Sequence, residues 1–133
     1  MREIKFRGKR VDNGEWIYGF YWHNTNAETS RITILTESSL YIDIEVIPET
    51  VGQFTGLIDK NGKEIYEGDV VRYDDISDLG ESLGEVAVVE YMYEQCCFDP
   101  LAIGYGGCYY SRYIENTEVI GNIHDNPELL KWM

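Results

Sequence analysis

Apolar and polar residues alternate along much of this chain with a period of two. Trp16, Tyr18, Phe20 and Trp22 fall on every second position, with Ile17, Gly19, Tyr21 and His23 between them. In an extended chain successive side chains point to opposite faces, so four large rings share one side of a strand, and that ladder is expected to be a core face. Leu40, Ile42, Ile44 and Val46 alternate with Tyr41, Asp43, Glu45 and Ile47, the pattern of a strand with one buried face. Residues 86–93 are apolar enough on both sides to form a central strand. Tyr109-Tyr110 and Glu118-Val119-Ile120 add two more.

Turn signals separate these strands: Asn13-Gly14, residues 24–30, Asn61-Gly62, Gly68-Asp69, residues 78–84 and residues 104–107. Asn61-Gly62 is expected to supply both positive-φ positions of a tight hairpin. The spacing is that of an all-β barrel or sandwich, not of βαβ units. Helix is scarce. Asn126 can cap a short C-terminal helix that has Pro127 at its first position and Glu128 complementing the dipole, and residues 48–51 suit one helical turn. Asn13-Gly14-x-x-Ile17-Tyr18 recurs as Asn61-Gly62-x-x-Ile65-Tyr66. Two related hairpins, or simply two similar Asn-Gly turns, would give this echo. From Glu64 onward the order strand, Gly-Asp turn, strand, acidic loop, strand resembles a small SH3-like barrel. The expected fold is therefore mainly β, a small barrel or sandwich with SH3-like character in the C-terminal half. It forms one domain over residues 1–133, open to division into two small lobes of about 1–50 and 51–133.

Within this pattern the segment Thr55-Gly56-Leu57, then Asp59-Lys60-Asn61-Gly62-Lys63-Glu64-Ile65-Tyr66-Glu67-Gly68-Asp69-Val70, stands out. It resembles the central motif of the YopX family of bacteriophage and prophage proteins. Arg2-Glu3-Ile4-Lys5-Phe6-Arg7 resembles the family's opening strand, and residues 118–123 and 126–130 resemble its close. The resemblance implies a phage-derived, mainly β protein without a defined biochemical role, and it transfers no catalytic residue. The motif residues Thr55, Gly56, Asp59, Asn61, Gly62, Glu64, Ile65, Tyr66, Gly68 and Asp69 are expected to be structural.

A chain of 133 residues fits one domain and buries roughly two-thirds of its extended surface on folding. No apolar run approaches the ~20 residues of a membrane helix, and residues 1–7 have no apolar stretch that would serve as a secretory signal. The expectation is a cytoplasmic protein, in a bacterial host cell if phage-encoded, with no membrane partner. Cys96, Cys97 and Cys108 are odd in number and two are adjacent, a poor disulfide framework, so reduced thiols are expected. His23 and His124 lack a Cys-x-x-Cys knuckle to complete a zinc site, and no metal or other cofactor is expected.

Charge is unevenly placed. The net charge is −13, yet residues 1–10 carry Arg2, Lys5, Arg7, Lys9 and Arg10 against Glu3 alone. Residues 73–111 carry eight acids and no Lys or Arg. Such a field repels phosphates, which argues against nucleic acid as a partner. Asp74, Asp75, Asp78 and Glu81 form the candidate interaction surface. They are either a solvated face or a docking site for a basic host protein or the N-terminal segment of a neighbouring subunit. Asp74-Asp75-x-x-Asp78-x-Gly80-Glu81 lacks the one-apart acid spacing of a calcium loop. No Gly-x-Ser-x-Gly, Gly-x-x-x-x-Gly-Lys or His-Glu-x-x-His motif occurs. The reading is a non-enzymatic accessory protein acting by protein–protein contact or self-assembly, as a homo-oligomer or with a host protein. The alternatives are a nucleic-acid binding module using the N-terminal cations and the aromatic ladder, or an acidic mimic of nucleic acid that occupies a host DNA-binding protein.

Overall fold

The computed structural model describes residues 3–77, 80–94, 96–101 and 116–132, with the side chains of 74–77, 80–83 and 132 left aside. The chain divides into two compact units, Met1–Phe54 and Thr55–Met133.

In the first unit β1 (Phe6–Lys9), β2 (Trp16–Asn24), β3 (Thr29–Leu35) and β4 (Tyr41–Val46) form an antiparallel meander. The order is β4-β3-β2-β1, and the start of β5 (Gly52–Ile58) pairs with the free side of β1. Residues 48–51 do form a turn of 3-10 helix, Pro48–Thr50. The inner face carries Gly8, Ser30, Ile32 and Val46, all buried, with Phe6 set against Tyr21 at 5.6 Å between ring centroids.

Two glycines explain how this face curls. A Cβ on Gly19 would lie 2.3 Å from the Thr33 carbonyl oxygen and 3.1 Å from Ile32 and Ile34 methyls, and one on Gly8 would meet Val46 at 3.1 Å. Gly19 stands opposite Phe6 and Gly8 opposite Ile17, but the space each leaves is taken from elsewhere on the face, by the Thr33 carbonyl, Ile32 and Ile34 at Gly19 and by Val46 and Ile32 at Gly8. A curled sheet crowds its concave side. Gly19 lies in the row of Ile17 and Tyr21, so that row turns inward and Trp16, Tyr18, Phe20 and Trp22 turn outward. The aromatic ladder is thus not a core face, contrary to what its spacing suggests.

The curl is incomplete. Arg10 bridges Val46, Val11 N–H donates to Glu45 O at 3.1 Å and Ile47 N–H to Lys9 O at 2.8 Å, joining one end of β4 back to β1. The other end of β4 remains the edge of the sheet. The barrel is not closed.

In the second unit β6 (Glu64–Tyr66) pairs with the end of β5. A three-stranded sheet has the order β11-β7-β8, from β7 (Asp69–Ser77), β8 (Gly80–Val88) and β11 (Glu118–Asn122), and β9 (Glu90–Met92) pairs with β10 (Cys97–Asp99). Ile65, Val71, Val89 and Leu101 form its core, with Tyr73, Phe98 and Val119 packed against them. The strand expected over residues 86–93 is two strands broken at Val89. Where a loop is expected over residues 78–84, β8 already runs from Gly80, paired with Ser77. Tyr109-Tyr110, Cys108 and residues 104–107 lie outside the described residues. The C-terminal helix is 3-10, Pro127–Trp132. Asn126 serves it differently from a cap: its Oδ1 accepts from Asn122 N–H at 3.2 Å, behind the helix.

Candidate interaction surface

Within the motif Thr55 to Asp69, the side chains of Thr55, Asp59 and Asp69 bond to backbone groups of their own unit. Asp59, 5% exposed, accepts at Oδ1 from Asn61 N–H (2.8 Å) and Lys63 N–H (2.9 Å) and at Oδ2 from Val119 N–H (2.9 Å). One carboxylate therefore shapes the β5–β6 turn and ties it to β11. Burial pushes the Asp59 carboxyl up, but the three N–H donors and the charge of Lys63 outweigh it and hold the group below its usual range. The turn closes through Gly62 N–H to Asp59 O at 3.0 Å and Asp59 N–H to Lys63 O at 2.7 Å. Gly62 has φ +84°, while Asn61 keeps negative φ, so this is a three-residue loop with one left-handed position, not the two-residue turn expected of Asn-Gly.

The remaining motif residues act similarly. Thr55 Oγ1 donates to Ile65 O at 2.8 Å, and Asp69 Oδ2 accepts from Tyr66 N–H at 2.8 Å. Gly56 and Gly68 adopt φ of +88° and +92°. Ile65 and Tyr66 are buried. Tyr66 Oη reaches Glu64 Oε1 at 3.4 Å.

Asp74 and Asp75 lie on β7 and Glu81 on β8, where Asp75 pairs with Ser82 and Glu81 with Ile76. The hairpin thus carries three of the four candidate acids; Asp78 lies outside the described residues. Among the described residues no three His, Cys, Asp or Glu come together as a metal site. Cys97 is buried and Cys96 exposed.

The outer face of the first unit presents a different chemistry. Cross-strand register puts Phe20, Thr33 and Asp43 in one row, Trp22, Arg31 and Glu45 in the next, and Leu35 beside Tyr41. By alternation Tyr18 and Leu35 share the face of Phe20 and Thr33. The exposures are Tyr18 48%, Phe20 63%, Trp22 38%, Leu35 59% and Tyr41 67%. These are large apolar side chains grouped on one face and reaching the sheet edge, bordered by Arg31, Asp43 and Glu45. Thr33 Oγ1 accepts from Trp22 Nε1 at 3.0 Å and donates to Asp43 Oδ1 at 2.6 Å, which fixes the indole. At the β1 end the Arg7 guanidinium lies 4.5 Å and Lys9 Nζ 5.4 Å from the Trp16 ring centroid, both cation–π contacts. Alternation revealed the ladder, but its outward direction was signalled only by glycine in the opposite row.

A family model described as "YopX protein" matches residues 5–131, nearly the whole chain. The crystal structure of protein EF1440 from Enterococcus faecalis is similar in fold, with a TM-score of 0.58 and 24% identity, covering 98% of this chain and 99% of that one. No curated protein matches. No helix among the described residues is long and apolar enough to cross a membrane.

Proposed function

We propose that this chain, which belongs to the YopX family, is a non-enzymatic interaction protein that docks a partner protein on the outer face of its first sheet. The observation that carries this reading is the exposed group Tyr18, Phe20, Trp22, Leu35 and Tyr41 with its polar border. Soluble domains seldom leave a large contiguous apolar patch in water, and an apolar, aromatic centre with a polar rim is the make-up of a protein interface. The resemblance to bacteriophage and prophage proteins supports an accessory role in a bacterial cytoplasm, with a host protein as the partner.

The test is a photo-crosslinking residue at position 20 in expressing cells, with position 93 as an exposed control in the other unit. A discrete protein adduct from position 20 alone is expected. Adducts from 93 and none from 20 would refute the docking face.

A second reading, single-stranded nucleic acid stacked on the ladder, is favoured by the cations Arg7 and Lys9 beside Trp16. It is the weaker one. Arg7 is only 5% exposed, both cations are engaged by the ring, and Asp43 and Glu45 share the face of a chain carrying −13. Tryptophan emission should stay unchanged when oligothymidylate is added at low salt, whereas saturable quenching would favour nucleic acid. The acidic-mimic version rests on Asp74, Asp75, Asp78 and Glu81. It predicts that neutralising these four abolishes capture of a DNA-binding partner.

A further inference from the structure

β4 is an edge strand whose outward backbone groups follow from its ladder. Leu40 O accepts from Thr36 N–H at 2.8 Å, so Leu40, Ile42 and Ile44 turn their N–H and C=O toward β3 while Tyr41, Asp43 and Glu45 turn theirs away. Glu45 O confirms the parity by accepting from Val11 N–H at 3.1 Å. Tyr41 and Asp43 are left facing the open side. The side chains there are exposed on both faces: Tyr41 on the outer one, Leu40 (64%) and Ile42 (42%) on the inner one, where alternation leads one to expect burial. An apolar edge of this kind is a template for another strand.

We propose that the strand it takes is β4 of a second copy of this chain, antiparallel, about a two-fold axis through Ile42. That register is singled out by the residues. It places Tyr41 opposite Asp43 of the second copy and Asp43 opposite its Tyr41, both as hydrogen-bonded pairs, giving four main-chain hydrogen bonds. Ile42 meets its own copy, and Leu40 meets Ile44 in each direction, so three apolar side chains per copy close over one face. On the other face each Asp43 carboxylate lies beside a tyrosine hydroxyl. Moving the axis to Asp43 would set two carboxylates directly opposite and would call on Glu45 O, already bonded to Val11. Moving it to Tyr41 would halve the hydrogen bonds. The assembly also joins two outer faces into one continuous aromatic sheet, without depending on what docks there.

The test combines sedimentation velocity over a concentration series with cysteine crosslinking. The wild type is expected to show a concentration-dependent dimer, and Ile42→Glu, with unchanged circular dichroism, to weaken it at least tenfold by setting like charges opposite each other. In a non-hydrogen-bonded antiparallel pair the Cα atoms lie about 4.5 Å apart, within disulfide reach. Ile42→Cys should therefore form a covalent dimer under mild oxidation above the wild-type background from Cys96, and Ile44→Cys should not. A wild-type monomer at every concentration overturns the proposal while leaving partner docking on the aromatic face to its own crosslinking test. Equal crosslinking at 42 and 44, or a dimer indifferent to Ile42→Glu, overturns it as well.

Discussion

The loop around Asp59 and the ladder from Trp16 to Trp22 are both rich in recognisable residues, yet the first turns its polar groups inward on its own unit and the second leaves its rings to solvent. Asp59, Thr55 and Asp69 direct their oxygens into backbone groups of their own unit, while Tyr18, Phe20 and Trp22 hold their rings in solvent. The contrast teaches that the most distinctive run of sequence need not be the working surface. A polar side chain with all its acceptors engaged internally has little left for a ligand. An exposed ring that adds nothing to its own core is available to a partner.

Substitutions should separate the two regions by more than their positions. Asp59→Ala strands three backbone donors, one of them 60 residues away in sequence, and should cost roughly 2–4 kcal/mol of stability by chemical denaturation. Gly19→Ala presses a Cβ onto the Thr33 carbonyl oxygen and should cost roughly 1–3 kcal/mol, or more if β2 cannot shift. Phe20→Ser lies on the ladder itself and should change stability by no more than about 0.5 kcal/mol while removing partner capture. A large loss of stability from Phe20→Ser would erase the contrast. Lys60→Ala removes an exposed 3.3 Å ion pair with Glu118 and should cost about 0.2–1 kcal/mol, lowest in high salt.

Acid sharpens the same comparison. The folded-state pKa of Asp59 is lowered, so its contribution is complete above the ordinary carboxylate value of about 3.9 and is lost as pH falls through the lowered one. The wild type should lose stability below about pH 4 more steeply than Asp59→Asn, whose amide does not titrate there.

The sequence announced strands and turns because period-two alternation and glycine-marked turns are local properties. Which face a strand turns inward is not local. For β2 it was decided by Gly19, whose Cβ would have met Thr33, and a glycine inside a strand reads equally as a bulge or a weak point. Leu40 and Ile42 look like core residues by spacing and are exposed because β4 ends the sheet, a consequence of strand order. Gly80 and Gly84 suggested a loop where the acidic segment forms a hairpin. At residue 61 the Asn-Gly pair located the turn correctly, but Asp59 determined its type by accepting from the loop's own N–H groups.

The bond between Asp59 and Val119 also has a consequence in time. A chain grows at roughly 5–20 residues per second, so about 3 to 12 s separate the synthesis of the carboxylate from that of the amide that will meet it. During that interval the β5–β6 hairpin can form with its turn already bonded to Asp59, but β11 does not yet exist, and the strand that completes the second sheet arrives last.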